Sequence, residues 1–136
     1  MFEDLNTWAI VVSAIMSMVI GTFWYSPMTG LGRTWMRLSG VSQAKPRGAE
    51  MIKTMGAGFL SAITFSTVLA IVLRIANATS VYDGVVIGAI IWVGFIVTTY
   101  LGGVIWEKKP FNLFLIYVGY EAVRIAVVAS ILVLWQ

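Results

Sequence analysis

Two opposite charges lie inside the last apolar segment of the chain. Glu121 and Arg124 stand near the middle of residues 111–135, a stretch that is otherwise almost entirely apolar or small. Residues three apart share one face of a helix, so the two side chains are expected to meet. Charges at this depth of a bilayer are costly, and they normally face a bundle interior, a cavity or a partner. The pair is therefore the first candidate for a functional site.

Other polar side chains are expected near this pair. Tyr117 lies one helical turn before Glu121, and Thr98 and Thr99 lie in the preceding apolar segment. A short connection makes these two segments antiparallel neighbours. The candidate intramembrane polar site therefore comprises Glu121, Arg124, Tyr117, Thr98 and Thr99, and no catalytic residue is assigned.

The pair has a structural and a functional interpretation. As a structural clasp it would hold helices or subunits in register, and loss of one partner would cost about 3–5 kcal/mol. As a coupling site it would use the balance between burial, which disfavours an ionised carboxylate, and the neighbouring arginine, which favours it. A substrate could then switch Glu121 between protonation states. A third interpretation has Arg124 anchoring a quinone, a pigment or a lipid headgroup, although its depth argues against a headgroup.

Composition indicates that lipid surrounds most of the chain. Hydrophobic residues make up 60% of the sequence and charged residues only 11%, against about 25% charged in soluble domains. The absence of cysteine and histidine excludes thiol catalysis, disulfides and Ser-His nucleophiles. No metal or cofactor is expected. The net charge of +3 is too small and too dispersed to indicate a nucleic-acid partner.

Four apolar segments set the architecture. They cover residues 6–27, 55–73, 85–106 and 111–135, and each approaches the ~20 residues that a membrane-spanning helix needs. The prediction is an all-α integral membrane four-helix bundle, with residues 1–136 as one transmembrane domain. We do not expect a cleavable signal peptide, because the chain begins with Glu3 and Asp4 instead of a basic region.

The basic residues predict the orientation. Only Arg74 flanks the connection between the second and third segments, whereas most of the others flank the two remaining connections: Arg33, Arg37, Lys45, Arg47, Lys53, Lys108 and Lys109. Basic residues favour the cytoplasmic side. Both termini are therefore expected outside, in a multi-pass protein of the bacterial inner (plasma) membrane.

The long first cytoplasmic loop is expected to contain a short helix. Trp35, Met36 and Leu38 alternate with Arg33 and Arg37, a pattern typical of a helix at the membrane surface. Breaks are then expected at residues 40, 46 and 48, where glycine, proline and glycine stand. A surface linker is the favoured interpretation of this loop, and a gate or a docking surface is the alternative.

Small residues at four-residue spacing predict how the helices pack. In lipid, helices associate through close backbone approach and hydrogen bonds rather than through the hydrophobic effect. The predicted packing residues occur in all four segments: Ser13, Ser17, Gly21, Gly58, Ala62, Ser66, Gly84, Gly88, Gly94, Ala122 and Ala126. The same faces would suit a subunit interface.

Three positions predict helix ends. Asp83 is expected to be the N-cap of the third helix, because its carboxylate can accept hydrogen bonds from free amides. Pro110 is expected to start the fourth helix. Pro27 is expected to close the first.

The first segment ends in a motif that resembles a known family. Gly21, Trp24, Tyr25, Ser26 and Pro27 form the pattern G-x-x-W-Y-S-P. The chain resembles a family of small bacterial four-helix membrane proteins catalogued only as a domain of unknown function, and the resemblance extends over nearly its whole length. It implies a four-helix membrane protein and no established activity. Glu121 and Arg124 depart from that family's usual pattern, in which these positions are uncharged.

Three functions remain open. The first is a non-enzymatic oligomeric transporter or permease, analogous in size to the small multidrug-resistance exporters, which also use a membrane carboxylate. The second is an accessory or assembly subunit of a larger membrane complex. The third, ranked last because only Arg124 lies inside a segment, is an enzyme with a lipophilic substrate. Beyond the lipid bilayer, the expected partner is a second copy or a larger complex, since four such helices enclose little volume.

Overall fold

The chain forms an all-helical structure. The computed structural model describes residues 3–41 and 47–136, so the predicted break at residue 46 lies outside the described residues. The helices are α1 (Thr7–Trp24), α2 (Gly30–Ser39), α3 (Ala49–Ile75), α4 (Val81–Ile91), α5 (Thr98–Trp106) and α6 (Phe111–Leu134). A π-helical segment (Trp92–Val97) joins α4 to α5 without a break. The prediction of an all-α fold is confirmed, and a short helix, α2, lies in the first loop.

Among the described residues, four helices are long and apolar enough to cross a membrane. They are α1, α3, the continuous helix Val81–Trp106 and α6, with mean hydropathy between 1.7 and 2.1. We call them the first to fourth spans. Two begin earlier than the apolar segments, at Ala49 and at Val81. These helices continue past the apolar stretch because their first turns can expose polar residues such as Glu50 without cost.

The fourth span is the centre of the fold. The first, second and third spans all contact α6, and α1 also contacts α3. In the most apolar stretch of α6, 44% of the residues are buried, against 11% in the third span. The third span therefore lies at the edge of the bundle, with α6 as its main neighbour.

The apolar core lies at the end of the bundle where the two chain ends meet. Asn6 Nδ2 donates to the Trp135 carbonyl over 3.0 Å, and Gln136 Nε2 donates to the Ala78 carbonyl over 3.1 Å. The core consists of Ala9, Ile10, Leu69, Leu73, Ala78, Ile125, Val128, Ala129, Leu132 and Val133. We call this part of the bundle the terminal half. The opposite part, which carries α2 and the turn before α6, is the loop half.

The start of the third span corrects one prediction. The N-cap of α4 is Ser80, not Asp83. The Asp83 backbone N–H donates to Ser80 Oγ over 3.1 Å, and the Ser80 N–H donates to Asp83 Oδ2 over 2.9 Å. This reciprocal capping box satisfies two free amides, so the helix starts one turn earlier than predicted. Pro110 directly precedes α6, as predicted.

The π-helical segment changes which face of the third span meets α6. Gly88 lies against Ile125, and Tyr100, twelve residues later, stacks on Tyr117 of α6. In a regular α-helix these two positions would differ by about 120° around the axis. A π-type turn holds an extra residue and removes about 100° of that difference. Both residues therefore face α6, whereas a side chain at Gly94 would meet open space.

Candidate functional site

Glu121 and Arg124 form an ion pair inside α6. Arg124 Nη2 lies 2.6 Å from Glu121 Oε2, and the two side chains are only 15% and 11% exposed. The two charged groups are in direct contact. Within the described part of the chain, Glu121 Oε2 and Arg124 Nε have no hydrogen-bond partner. The charges are thus neutralised while some hydrogen-bonding capacity stays unused.

Aromatic rings hold the guanidinium of Arg124. The ring of Phe65, from α3, has its centroid 3.9 Å from Arg124 Cζ, and that of Tyr120 lies 5.6 Å away. A cation over an aromatic face is attracted by about 0.5–2 kcal/mol, more when water is excluded. Arg124 therefore links the second span to the fourth through contacts that do not involve Glu121.

A group of aromatic side chains lies beside the ion pair in the loop half. The tyrosine cluster, as we call it, comprises Tyr25, Trp35, Tyr100, Tyr117 and Tyr120. The Tyr25 ring lies 4.7 Å from Trp35 and 5.2 Å from Tyr120, and Tyr100 stacks on Tyr117 at 5.1 Å. Trp35 Nε1 lies 3.4 Å from the Tyr117 hydroxyl. The cluster thus joins the end of α1, α2, α5 and α6.

Two half-buried hydrogen bonds attach α1 to α6 beside the cluster. Trp24 Nε1 donates to the Ile116 carbonyl over 3.1 Å, and the Tyr120 hydroxyl donates to the Ser17 carbonyl over 3.3 Å. Gly21 makes room for this tyrosine, because a Cβ there would lie 3.2 Å from the Tyr120 hydroxyl. The glycine and tryptophan of the motif therefore position Tyr120 next to Arg124.

The last residues of the motif build the junction between α1 and α2. The Thr29 hydroxyl donates to the Ser26 carbonyl over 2.9 Å and accepts from the Gly32 N–H over 3.0 Å. A Cβ at Gly32 would overlap the Ser26 carbonyl, so only glycine fits this turn. The tight junction brings α2 back over the bundle and places Trp35 on Tyr25.

A cleft of about 580 Å³ opens between α5 and α6 in the loop half. Tyr100 and Tyr117 form part of its wall. Its other lining residues are Thr99, Gly102, Gly103, Val104, Trp106, Glu107, Lys109, Leu113 and Phe114. Lys109 Nζ lies 2.8 Å from Glu107 Oε2, and this hydrogen bond raises the pKa of Lys109 above its usual value. In the described residues, no three acidic side chains lie close enough together to hold a metal ion.

The structure places the predicted polar residues in different surroundings. Tyr117 belongs to the tyrosine cluster and to the wall of the cleft. Thr98 and Thr99 do not join the ion pair: both are exposed, and their hydroxyls donate to the Gly94 and Phe95 carbonyls of their own helix. Thr99 nevertheless lines the cleft, and Thr98 does not.

The predicted packing residues also fall into distinct groups. Those that are buried are Ser13, Ser17, Ala62, Ser66, Gly84 and Gly88. Those that are half-buried are Gly21, Gly58, Ala122 and Ala126. Gly94 is exposed and faces open space.

The sequence analysis did not assign five of the site residues to the polar site: Tyr25, Trp35, Phe65, Tyr100 and Tyr120. Tyr100 follows directly after the two threonines. It faces α6 because of the π-helical segment, which no residue pattern predicted. Trp35 lies 82 residues from Tyr117 in the chain. An aromatic residue beside arginines in a loop is equally consistent with insertion into lipid, so its contact with the cluster required the structure.

Comparison with known proteins identifies a family and no activity. The family model described as "Protein of unknown function (DUF1761)" matches residues 8–133, which is most of the chain. No curated protein and no solved structure matches the chain. The matched range includes every residue of the ion pair, the tyrosine cluster and the cleft, and all of the four spans except Thr7 and Leu134. The chain therefore belongs to the DUF1761 family of proteins of unknown function.

Proposed function

We propose that the protein is a non-enzymatic carrier of the permease type in the bacterial inner membrane. In this proposal, α2 and the turn before α6 face the cytoplasm, and both chain ends face outward. The support is the distribution of charge: the loop half carries Arg33, Arg37, Lys108 and Lys109, whereas Arg74 flanks the terminal half.

The observation that carries the proposal is a cleft whose wall adjoins a buried charged pair. The cleft opens between α5 and α6, and its tyrosine wall belongs to the cluster that also contacts Arg124 through Tyr120. Intramembrane ionisable residues characteristically mark substrate and ion pathways. A pair used only as a clasp does not require a neighbouring cleft of about 580 Å³.

The arrangement supports a coupling step. A substrate in the cleft would contact Tyr100 and Tyr117, whose stacked rings separate it from the ion pair. Displacement of these rings would give it access to Glu121 Oε2 and Arg124 Nε, the two atoms without hydrogen-bond partners in the described residues. Glu121 could then release Arg124 by taking up a proton, since low dielectric disfavours an unpaired carboxylate. Arg124 would stay in place on Phe65.

Proton flux in proteoliposomes tests this function. The purified protein would be reconstituted with a pH-sensitive dye inside the vesicles, and a panel of amphipathic cations, neutral aromatics and zwitterions would be added in turn. We expect at least one class to drive proton movement. Glu121→Gln should abolish that movement without changing the elution volume of the protein.

The matched control is Glu50→Gln, which removes a carboxylate in the first turn of α3. It should retain proton coupling, because Glu50 is exposed and belongs neither to the wall of the cleft nor to the ion pair. Proton flux that persists in Glu121→Gln would contradict the coupling role. The absence of flux with every compound would contradict the carrier.

An accessory subunit of a larger membrane complex is the second candidate. The observation that favours it is the third span, which is 11% buried in its most apolar stretch and presents Gly94 to open space. Small residues of this kind allow close approach of another helix. Purification in mild detergent separates the two candidates. A stable homo-oligomer without companions favours the carrier, and a stoichiometric companion protein favours the subunit.

A further inference from the structure

The exposed face of α2 carries two arginines without a counter-charge. Arg33 and Arg37 lie four residues apart, so they share one face, and both are exposed. With Gly30 and Thr34 they line a notch of about 370 Å³. The sequence has no acidic residue between Asp4 and Glu50. The ion pairs of the described residues involve Arg74, Lys109 and Arg124 instead. This notch is therefore complementary to an anion.

An apolar groove begins beside the notch. It measures about 310 Å³ and lies between the end of α1 and the start of α2. Its lining residues are Val19, Ile20, Phe23, Trp24, Thr29 and Leu31. Phe23 is 70% exposed and Leu31 46% exposed. Thr29 and Leu31 of the groove directly flank Gly30 of the notch in the chain, so the groove and the notch adjoin at the start of α2.

The opposite side of α2 is fixed to the bundle. Trp35 packs on Tyr25 with ring centroids 4.7 Å apart, and Gly32 lies directly on the Ser26 carbonyl. The packing of α2 therefore sets the position of the arginines relative to the groove before any ligand binds. Such preorganisation reduces the ordering cost of binding.

We infer that α2 and the end of α1 bind one anionic phospholipid, with its phosphate on Arg33 and Arg37 and an acyl chain in the apolar groove. Guanidinium groups bind phosphate oxygens through paired N–H donors. A soluble anion would leave the groove empty, and a choline headgroup would bring a positive charge to an uncompensated cationic face. In a diacyl lipid with an anionic headgroup, the headgroup would pair with the arginines of the notch and an acyl chain would fill the apolar groove.

Native mass spectrometry with added lipid tests the inference. The protein in mild detergent would be mixed with dioleoyl phosphatidylglycerol or with dioleoyl phosphatidylcholine at matched concentrations. We expect the anionic lipid to be retained roughly thirtyfold more than the zwitterionic one, in line with the contribution of two basic residues near phosphate. The double variant Arg33→Gln/Arg37→Gln should reduce this preference to about twofold or less.

The matched control is Arg47→Gln/Lys53→Gln, which removes the same charge from two exposed residues just before α3 and near its start, neither of which lines the notch or the groove. It should keep the full preference. An equal loss in both double variants would show general electrostatic attraction and overturn the inference. So would competition by millimolar inorganic phosphate, which would indicate a soluble-anion site. Because both arginines are exposed, melting temperature should stay unchanged in either double variant, which distinguishes lost binding from lost folding.

Discussion

The third and fourth spans pack closely in the terminal half and separate in the loop half. In the terminal half, Gly84 and Gly88 bring α4 against Val133 and Ile125, and a Cβ on Gly84 would lie 3.0 Å from Val133 Cγ2. In the loop half, the same two spans are separated by a tyrosine-lined cleft of about 580 Å³. One pair of helices thus provides a rigid contact at one end and an opening at the other.

The difference follows from side-chain size and from the π-helical segment. Glycine allows two backbones to approach, whereas tyrosine holds them apart. The segment Trp92–Val97 lies between the closely packed part and the separated part of the third span, and it turns Tyr100 towards α6. Trp92 Nε1 donates to the Val118 carbonyl over 2.8 Å and so fixes the segment to α6. π-helical turns are frequent at functional sites, and here the turn marks the boundary between a closed and an open region.

The ion pair at this boundary should give the largest effect. Arg124→Gln leaves the Glu121 carboxylate buried without its partner and should lower the free energy of unfolding by about 3–5 kcal/mol. Denaturant titration in detergent measures this loss. The double variant Glu121→Gln/Arg124→Gln should recover most of it, because no unpaired charge remains. A double variant that is as unstable as the sum of the single variants would show that the pair is not coupled.

Glycine substitutions compare the face of the third span that packs against α6 with a face of the same span that points away from the bundle. Gly84→Leu should cost about 1–3 kcal/mol, because the new side chain meets Val133 and the Ala129 carbonyl. Gly94→Leu is the matched control, since a side chain there meets open space. It should change the free energy of unfolding by less than about 0.5 kcal/mol. Equal costs at the two positions in the isolated protein would contradict the packing difference.

The stacked tyrosines should contribute less to stability than the glycine contact. Tyr100→Ala removes the stacking on Tyr117 and should cost about 0.5–1.5 kcal/mol beyond the lost burial. Tyr100→Phe keeps the ring and should be nearly neutral. The difference between the two free energies of unfolding separates the contribution of the ring from that of the hydroxyl. A larger loss for Tyr100→Phe than for Tyr100→Ala would contradict the stacking.

The surface ion pair of the cleft should give the smallest effect, visible in titration. Glu107 raises the pKa of Lys109, so Glu107→Gln should return that pKa towards about 10.4. Since the folded-state value is the raised one, the contribution to stability is present below the unfolded pKa and is lost as pH rises through the folded value. The ¹³Cε shift of Lys109 follows the titration. An unchanged midpoint would show that the carboxylate does not act on the lysine.

The sequence was sufficient to predict the architecture and the ion pair. Hydropathy located the four spans because a membrane imposes length and apolarity on each helix separately. Spacing predicted that Glu121 and Arg124 would meet, because helix geometry fixes such neighbours locally. The basic and apolar residues of the first loop likewise predicted α2.

Contacts between distant parts of the chain could not be predicted in this way. The tyrosine cluster joins Trp35 to Tyr117, and its assembly depends on the tight turn at Gly32 and on the π-helical segment. Thr98 and Thr99 are exposed, although the short connection between the third and fourth segments predicts that they lie near Glu121. The N-cap at Ser80 was missed because Asp83 also satisfies capping chemistry, and only the hydrogen bonds distinguish the two roles.

Water access to the cleft tests the central claim most directly. The chain has no cysteine, so a single introduced thiol can be followed by its reaction with a membrane-impermeant maleimide, which requires the hydrated thiolate. Thr99→Cys lines the cleft, whereas Thr98→Cys, the adjacent exposed residue, does not. We predict rapid labelling at position 99 and little at position 98 in proteoliposomes opened to reagent on both sides. Equal labelling at the two positions, or none at position 99, would contradict an aqueous cleft beside the ion pair.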